Sequence, residues 1–314
     1  MRALICGVGG QDGAYLSRLL IAKGYEVWGT SRHAGARFAT LEALGVRASL
    51  TLRTMAPDDG AAIAAVLADC EPDEIYYLSS QSSVGQSFSA PLETLTSNCL
   101  GALNVLEALR RARRPSRLFH ASSGECFGPI AGLAASDTTP FAPRSPYAVA
   151  KAAAHWLVAS YRDSYSLYAC SGILFNHESP LRPERFVTRK ITAAARIARG
   201  CHERLTLGRL DVVRDWGWAP DYVEAMWRML QQPAPRDLVL ATGEGHSLEE
   251  FVACAFAAAG LDWREHVDSD AALFRPTDLA ISIGDPTRAA EVLDWRALYR
   301  MADVARAMVA AEPG

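Results

Sequence analysis

An α/β fold with a doubly wound parallel sheet and a smaller C-terminal lobe is predicted by three observations. Short apolar runs rich in strand formers alternate with helical patterns along the first 175 residues. A glycine-rich turn separates the first such run from the first helix. After Phe175 the character changes to short strands, dense arginines and interrupting prolines. Strands alternating with helices at this spacing imply right-handed βαβ crossovers, and hence parallel pairing.

The elements follow in order. Residues 3–8 read as a strand. Residues 13–23 read as a helix carrying Tyr15, Leu16, Leu19 and Leu20, and it stops at Gly24, a C-terminal cap signal. Residues 25–30 form the next strand, 59–69 an alanine-rich helix and 74–78 a strand. A long amphipathic pattern covers 92–113, followed by a strand at 117–121, a helix at 147–165 and a strand at 167–174. Beyond Phe175, arginines crowd residues 182–204, and Pro180 and Pro183 break the pattern. Short strands are expected at 205–207 and 238–241, and helices at 221–230, 248–259 and 301–310. The division expected is a cofactor domain over 1–175, with later returns near 205–220 and 236–243, and mainly a substrate lobe over 176–314.

Composition narrows the function. The chain has 314 residues, 50% apolar and 21% charged, with a net charge of −3. A mildly acidic chain lacks the concentrated basic face that nucleic acid or an anionic membrane requires, and it leaves room for a local basic pocket. No apolar run reaches the ~18 residues of a membrane span, and Met1-Arg2-Ala3 leads directly into a strand rather than a signal segment. Seven cysteines, none spaced C-x-x-C, read as buried thiols of a reducing compartment. The scattered histidines suggest no zinc site. A cytoplasmic protein without metal, acting on a small molecule, is expected.

Gly7, Gly10 and Gly13 form G-x-x-G-x-x-G between the first strand and the first helix. Such glycines let the backbone approach a pyrophosphate at a helix N-terminus; the alternative is a tight turn without a ligand. Dinucleotide binders that take NAD usually place an acid after the second strand. This chain has Ser31 and Arg32 there, which suit a 2′-phosphate and favour NADP over NAD; the alternative is a solvated arginine. Tyr147 and Lys151 form Tyr-x-x-x-Lys on one helix face. A neighbouring ammonium, with a nicotinamide cation nearby, lowers a phenol from its usual value near ~10 and makes it a base. Ser123 and Glu125 follow the strand at 117–121, at the sheet edge where ligands bind.

The glycine turn, Ser-x-Glu and Tyr-x-x-x-Lys together resemble the extended short-chain dehydrogenase/reductases, a Rossmann-type family acting mostly on nucleotide sugars. Further segments resemble its GDP-mannose 4,6-dehydratase branch. They include Gln11-Asp12-Gly13-Ala14-Tyr15-Leu16, the run from Gly172 to Pro180, Phe186-Val187-Thr188-Arg189-Lys190-Ile191, Arg214-Asp215-Trp216-Gly217 and Phe274-Arg275-Pro276-Thr277.

The resemblance implies conversion of GDP-mannose to GDP-4-keto-6-deoxymannose with NADP regenerated. It casts Tyr147 as base for the C4 hydroxyl, tuned by Lys151. Ser123 would bind the C4 oxygen, and Glu125 would remove the C5 proton and help expel the C6 hydroxyl. Cofactor contacts fall on Gly7, Gly10, Gln11, Asp12, Gly13, Ser31, Arg32, Leu78, Ser80, Tyr147, Lys151 and His177. Substrate contacts fall on Ser82, Ser83, Asn176, Val187, Lys190, Arg214 and Arg275. A homodimer or homotetramer is the family pattern.

The chain departs from that pattern in several places. Cys6 precedes the first glycine, Arg53-Thr54-Met55 replaces an adenine-contacting motif after the third strand, and Cys126-Phe127 follows the glutamate. Leu181-Arg182-Pro183 implies one lost cation, and Arg209 stands where asparagine is usual. The loop after Arg32 is short, with Arg37 and Phe38 as its remnants. A reductase or epimerase of a GDP-4-keto-6-deoxy sugar, or a weakly active binding homologue, are the alternative readings.

Overall fold

The computed structural model describes residues 1–33, 35, 38–130, 134–198, 204–274 and 277–311. Its centre is a seven-stranded, wholly parallel sheet. Six strands come in sequence: β1 (Arg2–Cys6), β2 (Glu26–Ser31), β3 (Leu50–Thr54), β4 (Glu74–Tyr77), β5 (Arg117–Ser123) and β6 (Ala169–Leu174). Short strands follow at β7 (Asn176–Glu178), β8 (Leu205–Leu207), β9 (Val213–Arg214) and β10 (Trp216–Trp218), before β11 (Leu238–Leu240) rejoins the sheet. The order is β11-β6-β5-β4-β1-β2-β3. The chain winds outward from β1 through β2 and β3, then crosses to β4 and winds the other way. Ligands of such sheets sit at that switch, beyond the carboxyl ends of β1 and β4.

Both faces of the sheet are covered, which is why its strands read as nearly continuous apolar runs. One face packs on α1 (Gln11–Ala22), α2 (Ala39–Ala43) and, from the second half of the chain, the helix at Ala219–Gln231. The other packs on α3 (Gly60–Cys70) and, after the short α4 (Val84–Ser89) and α5 (Pro91–Leu95), on α6 (Gly101–Arg111) and α7 (Pro146–Tyr165). The long helix expected over 92–113 is broken at 96–100 by a π turn. There the Tyr77 hydroxyl donates to Ser97 O at 3.0 Å, and Asn98 Nδ2 donates to both Thr94 O and Gln81 O. Side chains that enter the ladder account for such a bulge.

The smaller lobe has its own apolar cluster. It is built from α8 (Val187–Ile197), β10 through Trp216 and Trp218, α10 (Leu248–Ala258) and a terminal helix at Met301–Ala311, while α9 (Ala219–Gln231) packs on the large sheet. Strands between 205 and 218 had been expected to return toward the cofactor domain. They pair instead in small sheets: β8 with a strand at Val267–Ser269, β9 with strands at His246–Ser247 and Ile281–Ser282, and β10 with β7. What returns to the large sheet is α9, β11 and a helix at Thr287–Leu293. Among the described residues, no helix is long and apolar enough to cross a membrane.

Candidate active site

A cleft of about 590 Å³ opens over the β1–β4 switch and runs into the smaller lobe. Its floor is the turn after β1. Gly7 takes φ +86°, and a Cβ there would lie 2.9 Å from the Ser79 backbone; one on Gly13 would lie 2.6 Å from Gly7 O. The glycines therefore let the ends of β1, β4 and α1 pinch together. Gly10 precedes α1 without offering a capping side chain, so first-turn N–H groups are left for an anion. Phe38 lays its ring against Gly9, and Thr40 Oγ1 donates to Gly9 O at 3.0 Å, so these two residues close over the turn. Arg37 lies outside the described residues.

Gln11, Asp12, Ser31, Arg32, Leu78 and Ser80 all line this cleft. Arg32 extends to solvent, its side chain 63% exposed, 3.3 Å from Glu93 on α5. A pair that exposed contributes about 0–1 kcal/mol, so the guanidinium is readily exchanged onto a phosphate. Asp12 is tied across the whole chain. His177 Nε2 lies 3.0 Å from Asp12 Oδ2, while His177 Nδ1 lies 2.7 Å from Phe175 O, so both ring nitrogens face oxygen atoms. Gln11 Nε2 donates to Asp12 Oδ1 and to His177 O, and Ser179 Oγ donates to Gln11 Oε1. Burial opposes ionisation of Asp12, yet His177, Gln11 and Arg182 outweigh it and hold the carboxyl at about 2. Burial likewise opposes charge on His177, and Asp12 raises it above its ordinary value.

The reacting groups gather where β5 and α7 meet. Ser123 ends β5 and accepts from Glu125 N at 3.2 Å, capping the turn Gly124–Phe127. Ser145 caps α7 by accepting from Ala148 N, with Pro146 next, so Tyr147 sits in the first turn over Ser123. Lys151 Nζ donates to Ala121 O at 2.8 Å. Ser123, Glu125, Tyr147 and Lys151 therefore share one wall of the cleft. In the polypeptide alone the phenol is not lowered as the sequence suggests. Burial pushes Tyr147 above its ordinary value, and its hydrogen bond with Ser123 opposes this in part. Burial also draws Lys151 down to about 8.

Of the residues expected at the substrate end, Ser82, Ser83, Asn176, Val187 and Arg214 line the cleft. The Ser83 hydroxyl is spent on capping α4, accepting from Gln86 N. Arg214 is buried, donating to Leu279 O at 2.7 Å and to Asp278 Oδ1 at 2.8 Å. Lys190 is not brought into this wall: it lies exposed on α8. Arg275 lies outside the described residues.

Three arginines that sequence reasoning did not select take part. Arg182, Arg185 and Arg209 line the cleft. Arg182 stacks over Phe186 at 3.8 Å and pairs at 3.1 Å with the buried Glu178 carboxylate, which accepts a hydrogen bond from Thr188 Oγ1. The crowding of arginine in this segment was the available signal, but nothing in their spacing told wall from surface.

A Rossmann sheet with a glycine turn at its switch, Ser-x-Glu after β5 and Tyr-x-x-x-Lys on α7 defines an extended short-chain dehydrogenase/reductase. The family described as GDP-mannose 4,6 dehydratase matches residues 4–308. GDP-mannose 4,6 dehydratase 2 of Arabidopsis thaliana is 45% identical over 94% of this chain and 82% of its own length. GDP-mannose 4,6-dehydratase of Vibrio cholerae is 40% identical, covering 94% and 89%. Among solved structures, UDP-glucose 4-epimerase of Thermus thermophilus superposes with a TM-score of 0.85 at 28% identity, covering 99% of this chain and 98% of that one. The chain belongs to the GDP-mannose 4,6-dehydratase family, and the resemblance carried by its motifs is borne out. It is an enzyme of the hydro-lyase class, a nucleotide-sugar dehydratase.

Proposed function

We propose that this chain converts GDP-mannose to GDP-4-keto-6-deoxymannose with tightly held NADP. The observation that carries the reading is the position of Glu125 beside Ser123 and Tyr147 on one wall. Oxidation or reduction at C4 needs only the tyrosine and lysine; elimination needs a second base, and Glu125 supplies it.

Ser123 holds the C4 oxygen while Tyr147 takes the C4 hydroxyl proton. The keto group so formed acidifies C5. Glu125 takes the C5 proton and gives it to the departing C6 hydroxyl, which leaves as water. When bound, the nicotinamide supplies the acceptor for the C4 hydride and the donor that returns it to C6. The glycine turn fits such a dinucleotide, since Gly10 leaves the first-turn N–H groups of α1 without a capping side chain. A nicotinamide cofactor is further supported by the Thermus enzyme, solved in complex with NAD. Ser31 and Arg32 favour NADP, because Arg binds a phosphate with charge-assisted hydrogen bonds. Gly10, Gln11, Asp12, Leu78, Ser80 and His177 complete the cofactor side.

Asn176, Val187 and Arg214 would hold the GDP portion, joined by Arg182, Arg185 and Arg209 for the diphosphate; Lys190 and Arg275 stay with the family pattern. Self-association is supported by apolar side chains exposed around α5 and α7, namely Leu92, Leu95, Leu100, Val149 and Trp156. Buried free thiols at Cys6, Cys70, Cys126 and Cys170 suit a reducing compartment such as the cytoplasm.

Glu125→Gln tests the reading. It should abolish formation of the 4-keto-6-deoxy product and leave binding of NADP and GDP-mannose within about twofold, because no charge-assisted contact to either is removed. Wild-type product formation by this variant would refute the role of Glu125.

A further inference from the structure

The segment Arg214-Asp215-Trp216-Gly217 carries a buried acid that the chemistry above does not use. Asp215 sits between β9 and β10 and is fully enclosed. Its partners among the described residues are a hydroxyl and backbone N–H groups rather than a cation. Thr242 N and Thr242 Oγ1 donate to Oδ1 at 2.9 and 2.7 Å. Gly243 N and Gly284 N donate to Oδ2 at 2.9 and 3.4 Å. An ionised carboxylate offers about four lone-pair sites, and these donors fill them. Burial raises the carboxyl above its ordinary value, and the bonds from Thr242, Gly243 and Gly284 oppose the rise.

The donors come from separate parts of the molecule. Thr242 and Gly243 lie just past β11, the edge strand of the large sheet. Gly284 lies just past the strand at Ile281–Ser282, which pairs with β9 in the smaller lobe. It is pressed onto the large sheet: a Cβ there would lie 2.5 Å from Ala241 Cβ and 2.7 Å from the Phe175 ring. One carboxylate therefore stitches the small sheet that carries Arg214 to the edge of the large sheet. Arg214 stands opposite Ser282 in that small sheet, and Asp215 N donates to Ser282 O at 3.1 Å. Arg214 and Ser282 both line the cleft, whereas Asp215 does not. The bonds of Arg214 Nη1 to Val213 O and Leu279 O, and of Nη2 to Asp278, orient the guanidinium within the smaller lobe. The bonds of Asp215 set that lobe's strand against the cofactor sheet.

We propose that Asp215 is a positioning residue for the nucleotide sugar: it fixes the strand of Arg214 against the large sheet, so that the guanidinium meets the GDP diphosphate in place. This rests on the reading of Arg214 as a contact to GDP. Arginine grips phosphate through paired hydrogen bonds of strict geometry, and a misplacement of about 1 Å is costly. An amide at this position has one acceptor oxygen and turns its NH2 group toward N–H donors, so it cannot keep the stitch. Asp215 acts through its neighbour and is not a catalytic residue.

The test uses Asp215→Asn, Thr242→Val and Arg214→Ala, and Arg214→Ala combined with each of the other two. GDP affinity by calorimetry, KM and kcat with GDP-mannose, bound NADP and melting temperature are compared with the wild type. Asp215→Asn should weaken GDP binding about tenfold and raise KM alike, with kcat and bound NADP within about twofold, since bonds to a charged group are lost behind one wall of the cleft. Thr242→Val removes one donor, keeps the carboxylate, and should weaken GDP about threefold. On top of Arg214→Ala, either change should weaken GDP by less than about twofold, because no guanidinium is left to place. A folded Asp215→Asn enzyme with wild-type GDP affinity overturns the proposal, as do losses that multiply in full on top of Arg214→Ala. Loss of bound NADP in step with GDP overturns it too, since that is the mark of a generally loosened fold. If Asp215→Asn does not fold, Thr242→Val decides by the same readings. Wild-type GDP affinity in Arg214→Ala alone removes instead the assignment of Arg214 on which the proposal rests.

Discussion

At Asp12 a carboxylate in the first turn of α1 meets the His177 ring, 165 residues away. Two signs follow. Asp12 is depressed from 3.8 to about 2, so its stabilisation is present above 3.8 and is lost as pH falls toward 2. His177 is raised above 6.5, so its stabilisation is present below 6.5 and is lost as pH rises through the raised value. Asp12→Asn should therefore destabilise most between about pH 4 and 6.5, by about 3–5 kcal/mol for a broken buried pair. Urea titrations across pH measure this, and a pH-independent difference would contradict it. A second residue-scale expectation concerns Arg32→Ala. NADP affinity should fall by about 10- to 100-fold, the worth of a hydrogen bond between charged groups, with NAD affinity unchanged; equal loss of both would assign Arg32 no part in selection. Ser123, Glu125, Tyr147 and Lys151 were legible because each pair is joined by local spacing on one strand end or one helix face. The Asp12–His177 pair and the wall arginines Arg182 and Arg185 were not, because folding alone brings distant segments together.

Elements with clear periodicity and caps were the readable ones. α1 has an apolar stripe and a glycine stop, α7 has Ser145-Pro146 at its start, and β4 to β6 are buried almost throughout. α8 was hidden, since Pro180, Pro183 and repeated arginines obscure the stripe of Val187, Ile191 and Ala195 that packs on α10 and the terminal helix. The π turn at 96–100 was hidden for another reason: its cause lies on β4 and the loop after it, in Tyr77 and Gln81. At the element scale the β1–α1 junction is the most exacting. Gly13→Ala puts a methyl 2.6 Å from Gly7 O and 2.7 Å from Val8 Cα, against backbone that cannot yield cheaply. It should cost about 1–3 kcal/mol by overpacking and abolish tight NADP retention. Denaturant unfolding and cofactor content after purification measure both, and a fully loaded, equally stable variant would contradict the account.

On the scale of the molecule, the two halves of the chain do not map simply onto two lobes. α9, β11 and the helix at Thr287–Leu293 return to the large sheet, and β7 lies against β10 of the smaller lobe. The cleft thus has walls from both halves, as a cofactor and a nucleotide sugar meeting atom to atom require. The apolar residues left exposed around α5 and α7 belong to this scale too. Leu92→Glu with Trp156→Glu should shift the sedimenting species to the monomer, and an unchanged assembly would place the interface elsewhere. The central claim is that one cleft oxidises, eliminates and re-reduces the same sugar with no net consumption of reductant. It is tested most directly by incubating the protein with GDP-mannose deuterated at C4, without added NADPH, and reading the product by mass spectrometry and NMR. The expected product is lighter by one water and carries the deuterium at C6. An intact sugar, or turnover only with stoichiometric NADPH and a 4-keto substrate, would contradict it.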